Sequence, residues 1–246
     1  MNNIGAQLYT VRDLLTSDEQ TVETLKKIKA LGYTAVQFFG GKERIISMGK
    51  AAKEAGLKIQ GNLSDIKTYL DMGDELFELS KEYGIPDLGI SSFITDEDEV
   101  KEFIKTVNGF AKKAKAKGFT FSYHNHANEF IRLPSGKTVM DLLLEGFDPE
   151  YVDFMPDTYW LTVGGMDVRY FLEKTKGRVK ILHLKDLEYT LNGPKFAEIG
   201  RGNLCFKEII ETAEKVGIRE FAVEQDVCDG DPLESLKYSV EYLKGV

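Results

Sequence analysis

Residues 117–126 read KGFTFSYHNH, residues 176–186 read KGRVKILHLKD, and residues 216–226 read VGIREFAVEQD. In each, a helix-like stretch ends near a glycine and gives way to a short apolar run of strand length. Polar residues gather where that run ends. A glycine at such a junction suits a left-handed helix C-cap, because it takes positive φ without steric cost. The junction recurs upstream in ALGYTAVQFF (30–39), EAGLKIQGN (54–62), EYGIPDLGIS (82–91) and EGFDPEYVDFMPD (145–157). With IGAQLYTV (4–11) in front, these units make eight strands. Helical patterning fills 19–30, 45–55, 67–83, 97–117, 138–144, 168–174, 206–216 and 232–243.

Alternation of β and α along the whole chain implies parallel strands joined by right-handed crossovers. Eight units in 246 residues predict an α/β protein of the closed (β/α)8 TIM-barrel class, one domain over 1–246. An open, doubly wound dinucleotide fold is not expected, since Arg12, Asp13 and Leu14 follow the first strand in place of GxGxxG.

Hydrophobic residues at 42% and charged residues at 29% suit a soluble globular protein. The 32 basic against 40 acidic side chains leave a net charge of −8, which argues against nucleic acid as a partner. No apolar run reaches the roughly 18–20 residues of a membrane span. The opening MNNIGAQLYTVRD carries no basic segment followed by an apolar core. Cys205 and Cys228 are too few for a disulfide framework or a cysteine zinc site. A cytoplasmic protein is expected, without a membrane partner and with a homo-oligomer left open.

Active sites of this architecture lie at the C-terminal ends of the strands. The three histidines, His124, His126 and His183, fall at the ends of strands five and seven. Asp157 ends strand six, Glu224 ends strand eight, Gln7 and Tyr9 end strand one, and Gln37 sits in strand two. Histidine with two or three carboxylates is a donor set for one divalent ion, Mn²⁺, Mg²⁺, Co²⁺ or Zn²⁺. Strands six to eight are neighbours, so Asp157, His183 and Glu224 converge. Strand five supplies the fourth ligand: His124 and His126 share one face by period-two alternation, and Glu129 lies just beyond.

The resulting assignment places the metal on His124, Asp157, His183 and Glu224, with Glu129 as the alternative ligand from strand five. His126, Glu129 and Lys185 are the candidate catalytic groups. Tyr9 and Trp160 are candidate substrate contacts, Trp160 as a stacking platform for a sugar. Arg201, between the glycines of EIGRGN (198–203), is a candidate for a phosphate. Taken singly, His183 reads as a buried structural histidine, Asp157 as an N-cap, Glu224 as a solvated strand end, and Lys185 with Asp186 as a salt bridge. Four adjacent strands that each deliver a ligand at the same end favour the joint reading.

The motifs AQLYTVRD (6–13), FSYHNHANEF (121–130), DTYW (157–160), ILHLKD (181–186), EIGRGN and AVEQD (222–226) resemble the xylose-isomerase-like TIM barrels. That group comprises the sugar phosphate isomerases/epimerases and endonuclease IV. The likeness runs over essentially the whole chain and implies a metal held by residues of strands five to eight, which maps onto Asp157, His183 and Glu224. Many members carry a Glu where His124 stands, and in the epimerases that Glu pairs with the strand-eight Glu as acid and base. Strand three ends in GNLSD (61–65), where this branch often has a His. The endonuclease branch binds three zinc ions with many histidines, unlike this acidic chain with three.

The chemistry expected is proton abstraction next to a carbonyl of a sugar or sugar phosphate chelated to the metal. His124 or His126 serves as base or shuttle, with Glu129 orienting one of them. Reprotonation gives an isomerase or epimerase. Loss of a β-substituent gives a lyase or dehydratase on a keto-sugar or keto-inositol, the runner-up. A nuclease and a non-catalytic barrel stand behind both.

Overall fold

The computed structural model describes residues 3–246. Its first half runs β1 (Ile4–Gln7), α1 (Asp18–Leu31), β2 (Ala35–Phe39), α2 (Lys42–Ala55), β3 (Lys58–Ser64), α3 (Ile66–Met72), α4 (Asp74–Tyr83), β4 (Asp87–Ile90) and α5 (Glu97–Ala116). The second half runs β5 (Thr120–His124), α6 (Val139–Gly146), β6 (Asp153–Met155), α7 (Thr158–Val163), α8 (Val168–Lys174) and β7 (Ile181–Leu184). A hairpin of β8 (Asp186–Thr190) and β9 (Gly193–Ala197) follows, then α9 (Phe206–Lys215), β10 (Glu220–Val223) and α10 (Pro232–Leu243).

The parallel sheet has the order β6-β5-β4-β3-β2-β1-β10-β7. Its two ends meet through parallel bridges Phe154↔Val179 and Asp157↔His183, so the eight strands form a nearly closed barrel. The predicted (β/α)8 architecture is therefore the observed one. A continuous core fills the space between sheet and helices, from Ile4, Val36 and Phe38 through Phe121 and Phe154 to Phe221 and Leu243. Such burial is the main driving force for the fold. Helix starts are fixed locally: Thr138 and Asp141 form a capping box on α6, and Ser17 accepts from Gln20 N on α1. Among the described residues, no helix is long and apolar enough to cross a membrane.

Several local expectations are corrected. The first strand stops at Gln7, whose side chain accepts from Tyr9 N and turns Leu8–Leu14 into a 3₁₀ segment. The helix expected over 67–83 is broken at Gly73 (φ 61°, ψ −131°) into α3 and α4. Helix α7 and the β8–β9 hairpin were not anticipated. Left-handed glycines cap α1, α2 and α4 as expected, but Gly146 is the last helical residue of α6 and does not take positive φ. Its lack of a side chain serves packing, since a Cβ there would sit 2.8 Å from Ile104 Cδ1.

Gly61 is a stricter case. It lies where the β2–β3 register shifts, and an added Cβ would sit 2.9 Å from the Asp87 carbonyl oxygen and 3.2 Å from Asp87 Cβ. Backbone cannot swing aside as a side-chain tip can. Gly61→Ala is expected to cost about 1–3 kcal/mol, read as a lower urea midpoint; an unchanged midpoint would refute the close approach.

Candidate metal centre

The C-terminal mouth of the barrel opens into a cavity of about 740 Å³. Its walls include Tyr9, Phe39, Phe93, His126, Trp160 and Lys185. At its floor, His124, Asp157, His183 and Glu224 each offer a ligand atom, and these atoms lie within 4.8 Å of one another. All four residues are buried. Among the described residues, no other group of His, Cys, Asp and Glu is gathered this closely.

Each side chain is placed by its strand end. His124 is the last residue of β5, and its Nε2 lies 3.9 Å from Asp157 Oδ2. Asp157 follows β6 and caps α7, with Oδ1 accepting from Trp160 N at 2.9 Å. The N-cap reading of Asp157 is thus correct for one oxygen and leaves the other inside the cluster. His183 on β7 is gripped from both sides, by Gln37 Oε1 at 2.7 Å from Nε2 and by Glu224 Oε2 at 2.9 Å from Nδ1.

The tautomer of His183 carries information. Gln37 Oε1 is an acceptor, so Nε2 donates to it and a neutral ring turns the Nδ1 lone pair toward the Glu224 carboxylate. Two lone pairs 2.9 Å apart call for a shared proton or a metal ion. A ring N–H fixed by an outer partner is the usual arrangement of a ligating histidine. His124 Nδ1 is buried without a hydrogen-bond partner, and Asp157 Oδ2 has only the Lys185 ammonium beside it, at 3.1 Å. A buried, incompletely satisfied set of imidazoles and carboxylates fits a divalent ion of the Mn²⁺, Mg²⁺, Co²⁺ or Zn²⁺ type.

Lys185 supplies the positive charge facing these acids. Its Nζ lies 3.1 Å from Asp157 Oδ2, 2.9 Å from Glu224 Oε2 and 2.7 Å from Asp226 Oδ1. Burial works against the ammonium, but the three carboxylates outweigh it and raise its pKa. The two acids respond differently. Burial lifts Asp157 to about 6 despite Lys185, whereas for Glu224 burial is overcome by Lys185 and His183, and its pKa falls. The difference follows from contacts: Glu224 Oε2 meets both Lys185 Nζ and His183 Nδ1 at 2.9 Å, whereas Asp157 Oδ2 meets Lys185 alone, at 3.1 Å. Burial, then the neighbouring His183, His126 and Lys185, pushes His124 well below the usual imidazole range.

His126 lies above the floor, its ring 4.7 Å from Phe93 and 5.5 Å from Trp160. Burial and the charge of Lys185 lower it to about 4, so the imidazole facing the cavity is neutral. Glu129 does not reach the cluster as a ligand and does not orient an imidazole. Its carboxylate accepts from Tyr123 Oη at 2.7 Å and from the backbone N–H of His126 at 2.9 Å. Burial raises it to about 7. Its function in the structure is to hold the loop that carries His126.

Tyr9 and Trp160 line the cavity as expected, with Tyr9 edge-on to Phe39 and covered by Arg12 at 4.3 Å. Arg201 does not. Its guanidinium lies 3.7 Å from the ring centre of Tyr238, outside the cavity. The glycine amides of EIGRGN are also taken: Asp186 Oδ2 accepts from Gly200 N and Gly202 N at 2.9 and 3.0 Å. A carboxylate already fills the nest that a phosphate would need. Gln37, Asp226, Arg12 and Phe93 complete the site without having been assigned roles from sequence. Of these, only Gln37 carried a positional signal, as a buried polar residue in an apolar strand.

A family model described as xylose isomerase-like TIM barrel matches residues 25–246. An inosose dehydratase of Mesomycoplasma hyopneumoniae is 26% identical over 167 residues, covering 60% of this chain and 55% of that protein. The chain therefore spans about half the length of the curated relatives it matches first. A sugar phosphate isomerase/epimerase from Parabacteroides distasonis superposes with a TM-score of 0.86 at 26% identity, over 100% of this chain and 99% of the other. A 3-keto-D-glucoside 4-epimerase from E. coli shares the fold, with a TM-score of 0.77, 15% identity and full coverage of both chains. With nine-tenths of its length matched by the family model and its strand-end histidines and acids gathered at the mouth of the barrel, the chain belongs to the xylose isomerase-like TIM barrels.

Proposed function

We propose that the protein is a divalent-metal-dependent isomerase or epimerase of a sugar or sugar derivative, acting by proton abstraction next to a carbonyl. The observation that carries this reading is the buried group His124, Asp157, His183 and Glu224 at the floor of an open, aromatic-lined cavity. These four residues would hold the ion, which when bound polarises a chelated carbonyl and acidifies the adjacent C–H. His126, a neutral imidazole facing the cavity, is placed to accept that proton. Glu129 fixes its height through the backbone. Lys185 stays protonated and holds Asp157, Glu224 and Asp226 around the floor; it can turn an N–H to oxygen-centred negative charge on the substrate only by releasing one of these three carboxylates. Tyr9, Phe93 and Trp160 give apolar faces on which a sugar ring can lie and exclude water. Small neutral or anionic sugars are the partners this site suits; the phosphate subsite assigned to Arg201 is withdrawn.

Elimination is the second reading. It is favoured because, of the two imidazoles lining the cavity, His124 belongs to the proposed ligand set and leaves His126 alone as a base, where a two-faced epimerisation would call for a second base on the opposite side. Relatives named as dehydratases and as epimerases stand on both sides of this choice.

Incubating Mn²⁺-loaded protein with ketoses, keto-glycosides and inososes in D₂O tests both. Deuterium at the carbon next to the carbonyl, with a new epimer or isomer by NMR, is the expected result. An enone absorbance with release of the β-substituent would move the assignment to a lyase. No exchange with any of the three classes would overturn both.

A further inference from the structure

Two segments form the side of the cavity where His126 stands. Residues 91–96 follow β4 and carry Phe93; residues 125–130 follow β5 and carry His126 itself. Phe93 is 72% exposed, yet its ring lies 4.7 Å from that of His126, tilted by 31°. Apolar stabilisation scales with the area removed from water, so packing alone does little to fix a side chain this open.

The tie that fixes it runs behind the wall. Tyr123 precedes His124 on β5, and period-two alternation turns its ring away from the metal centre. The ring packs on Phe103 of α5 at 6.1 Å and on Phe147 at 5.4 Å. Its hydroxyl meets both segments, Glu129 Oε1 at 2.7 Å and Ser92 Oγ at 2.9 Å. A phenol has one proton to give. Above the value of about 7 to which burial lifts it, Glu129 is ionised and only accepts, so Tyr123 donates to Glu129. Ser92 must then donate to Tyr123.

The chain therefore runs from Ser92 through Tyr123 to Glu129, whose other oxygen accepts from the His126 backbone N–H at 2.9 Å. Asn128 Nδ2 adds a longer contact to the Ser92 carbonyl, at 3.4 Å. Tyr123 and Glu129 are fully buried, and none of Ser92, Tyr123 and Glu129 lines the cavity. Two hydrogen bonds of the chain end on a carboxylate, the stronger class. With each member satisfied, such a buried chain holds one arrangement.

We infer that the Tyr123 hydroxyl is a positioning group that sets two walls of the cavity against each other, His126 through Glu129 and Phe93 through Ser92. It rests on the reading of His126 as base and Phe93 as a face for the sugar, and it makes their placement joint. A reacting group displaced by about 1 Å can lose on the order of 10²-fold in rate, so a hydroxyl that touches no substrate can govern turnover.

Tyr123→Phe keeps the ring and its packing and removes only this hydroxyl. In Mg²⁺-loaded protein at pH 8, with the sugar that exchanges fastest in D₂O, kcat should fall about 10–100-fold and KM should rise. Metal content should not change. Ser92→Ala cuts only the Phe93 arm, so it should raise KM and leave kcat within about twofold. The NMR signals of the three histidine rings, with His126 identified by His126→Asn, read the same coupling without turnover. Both variants should shift the His126 ring signals, since Phe93 no longer lies at a fixed angle to that ring, and should leave those of His183 in place. Ser92→Ala gives this readout even if Tyr123→Phe does not fold.

Unmoved His126 signals in Ser92→Ala, or wild-type kcat and KM in Tyr123→Phe, would overturn the coupling. A loss of metal with all three histidines shifted would make Tyr123 a structural residue alone and overturn it too. A wild-type protein without turnover would sink the sugar reading, while the histidine signals would still decide the coupling.

Discussion

The double variant Asp157→Ala/His183→Ala is expected to lose its divalent metal and at least about 10³-fold in kcat/KM. A Lewis acid supplies several kcal/mol of charge stabilisation, and each 1.36 kcal/mol is tenfold in rate. Elemental analysis after reconstitution should find about one equivalent of Mn, Co, Zn or Mg in the wild-type protein and none in the variant. Asp157 also caps α7, so its removal carries a structural cost of about 1 kcal/mol. Asp157→Asn separates the two roles: the amide oxygen can keep the bond from Trp160 N, while the ligand charge is gone. Metal loss in Asp157→Asn with an unchanged unfolding midpoint would assign the effect to ligation. Full metal content in the double variant would place the ion elsewhere and sink the proposed site.

The barrel was legible because its signals are local. A glycine at a helix–strand junction and a strand-length apolar run repeat at each unit, and the period of two puts His124 and His126 on one face. Asp157, His183 and Glu224 could be grouped for the same reason, since strand order follows chain order in this class. What failed depends on contacts between distant segments. Gln37 fixes His183 across 146 residues, and nothing near either residue announces the other. Asp186 fills the EIGRGN loop, so a loop that reads as a phosphate nest is closed by a carboxylate 14 residues upstream. Glu129 was placed near His126 correctly, but its partner is a backbone N–H and not the ring.

Lys185→Met is expected to destabilise the protein by about 3–5 kcal/mol at pH 8 in EDTA, the cost of removing one partner from a buried ion cluster. Lys185 is 1% exposed and faces Asp157, Glu224 and Asp226 at 2.7–3.1 Å. Methionine keeps most of the apolar stem, so the loss measures charge and not volume. In the wild-type protein at pH 8 Asp157, lifted to about 6 with Lys185 beside it, is ionised. Without the ammonium each acid must either stay charged with no counter-charge or take up a proton, and both cost stability. Two of the three oxygens that Lys185 touches belong to Asp157 and Glu224, which are also proposed ligands. A bound dication neutralises that same pair, so the penalty should shrink in saturating Mn²⁺. Urea unfolding of both proteins, with EDTA and with Mn²⁺, gives the four numbers needed. A smaller loss in Mn²⁺ means that ammonium and metal ion serve the same carboxylates. An equal loss in both conditions would make Lys185 a purely structural cation tied to Asp226. A loss below about 1 kcal/mol in EDTA would show that the cluster is not ionised as drawn, and the electrostatic account of the metal centre would fall with it.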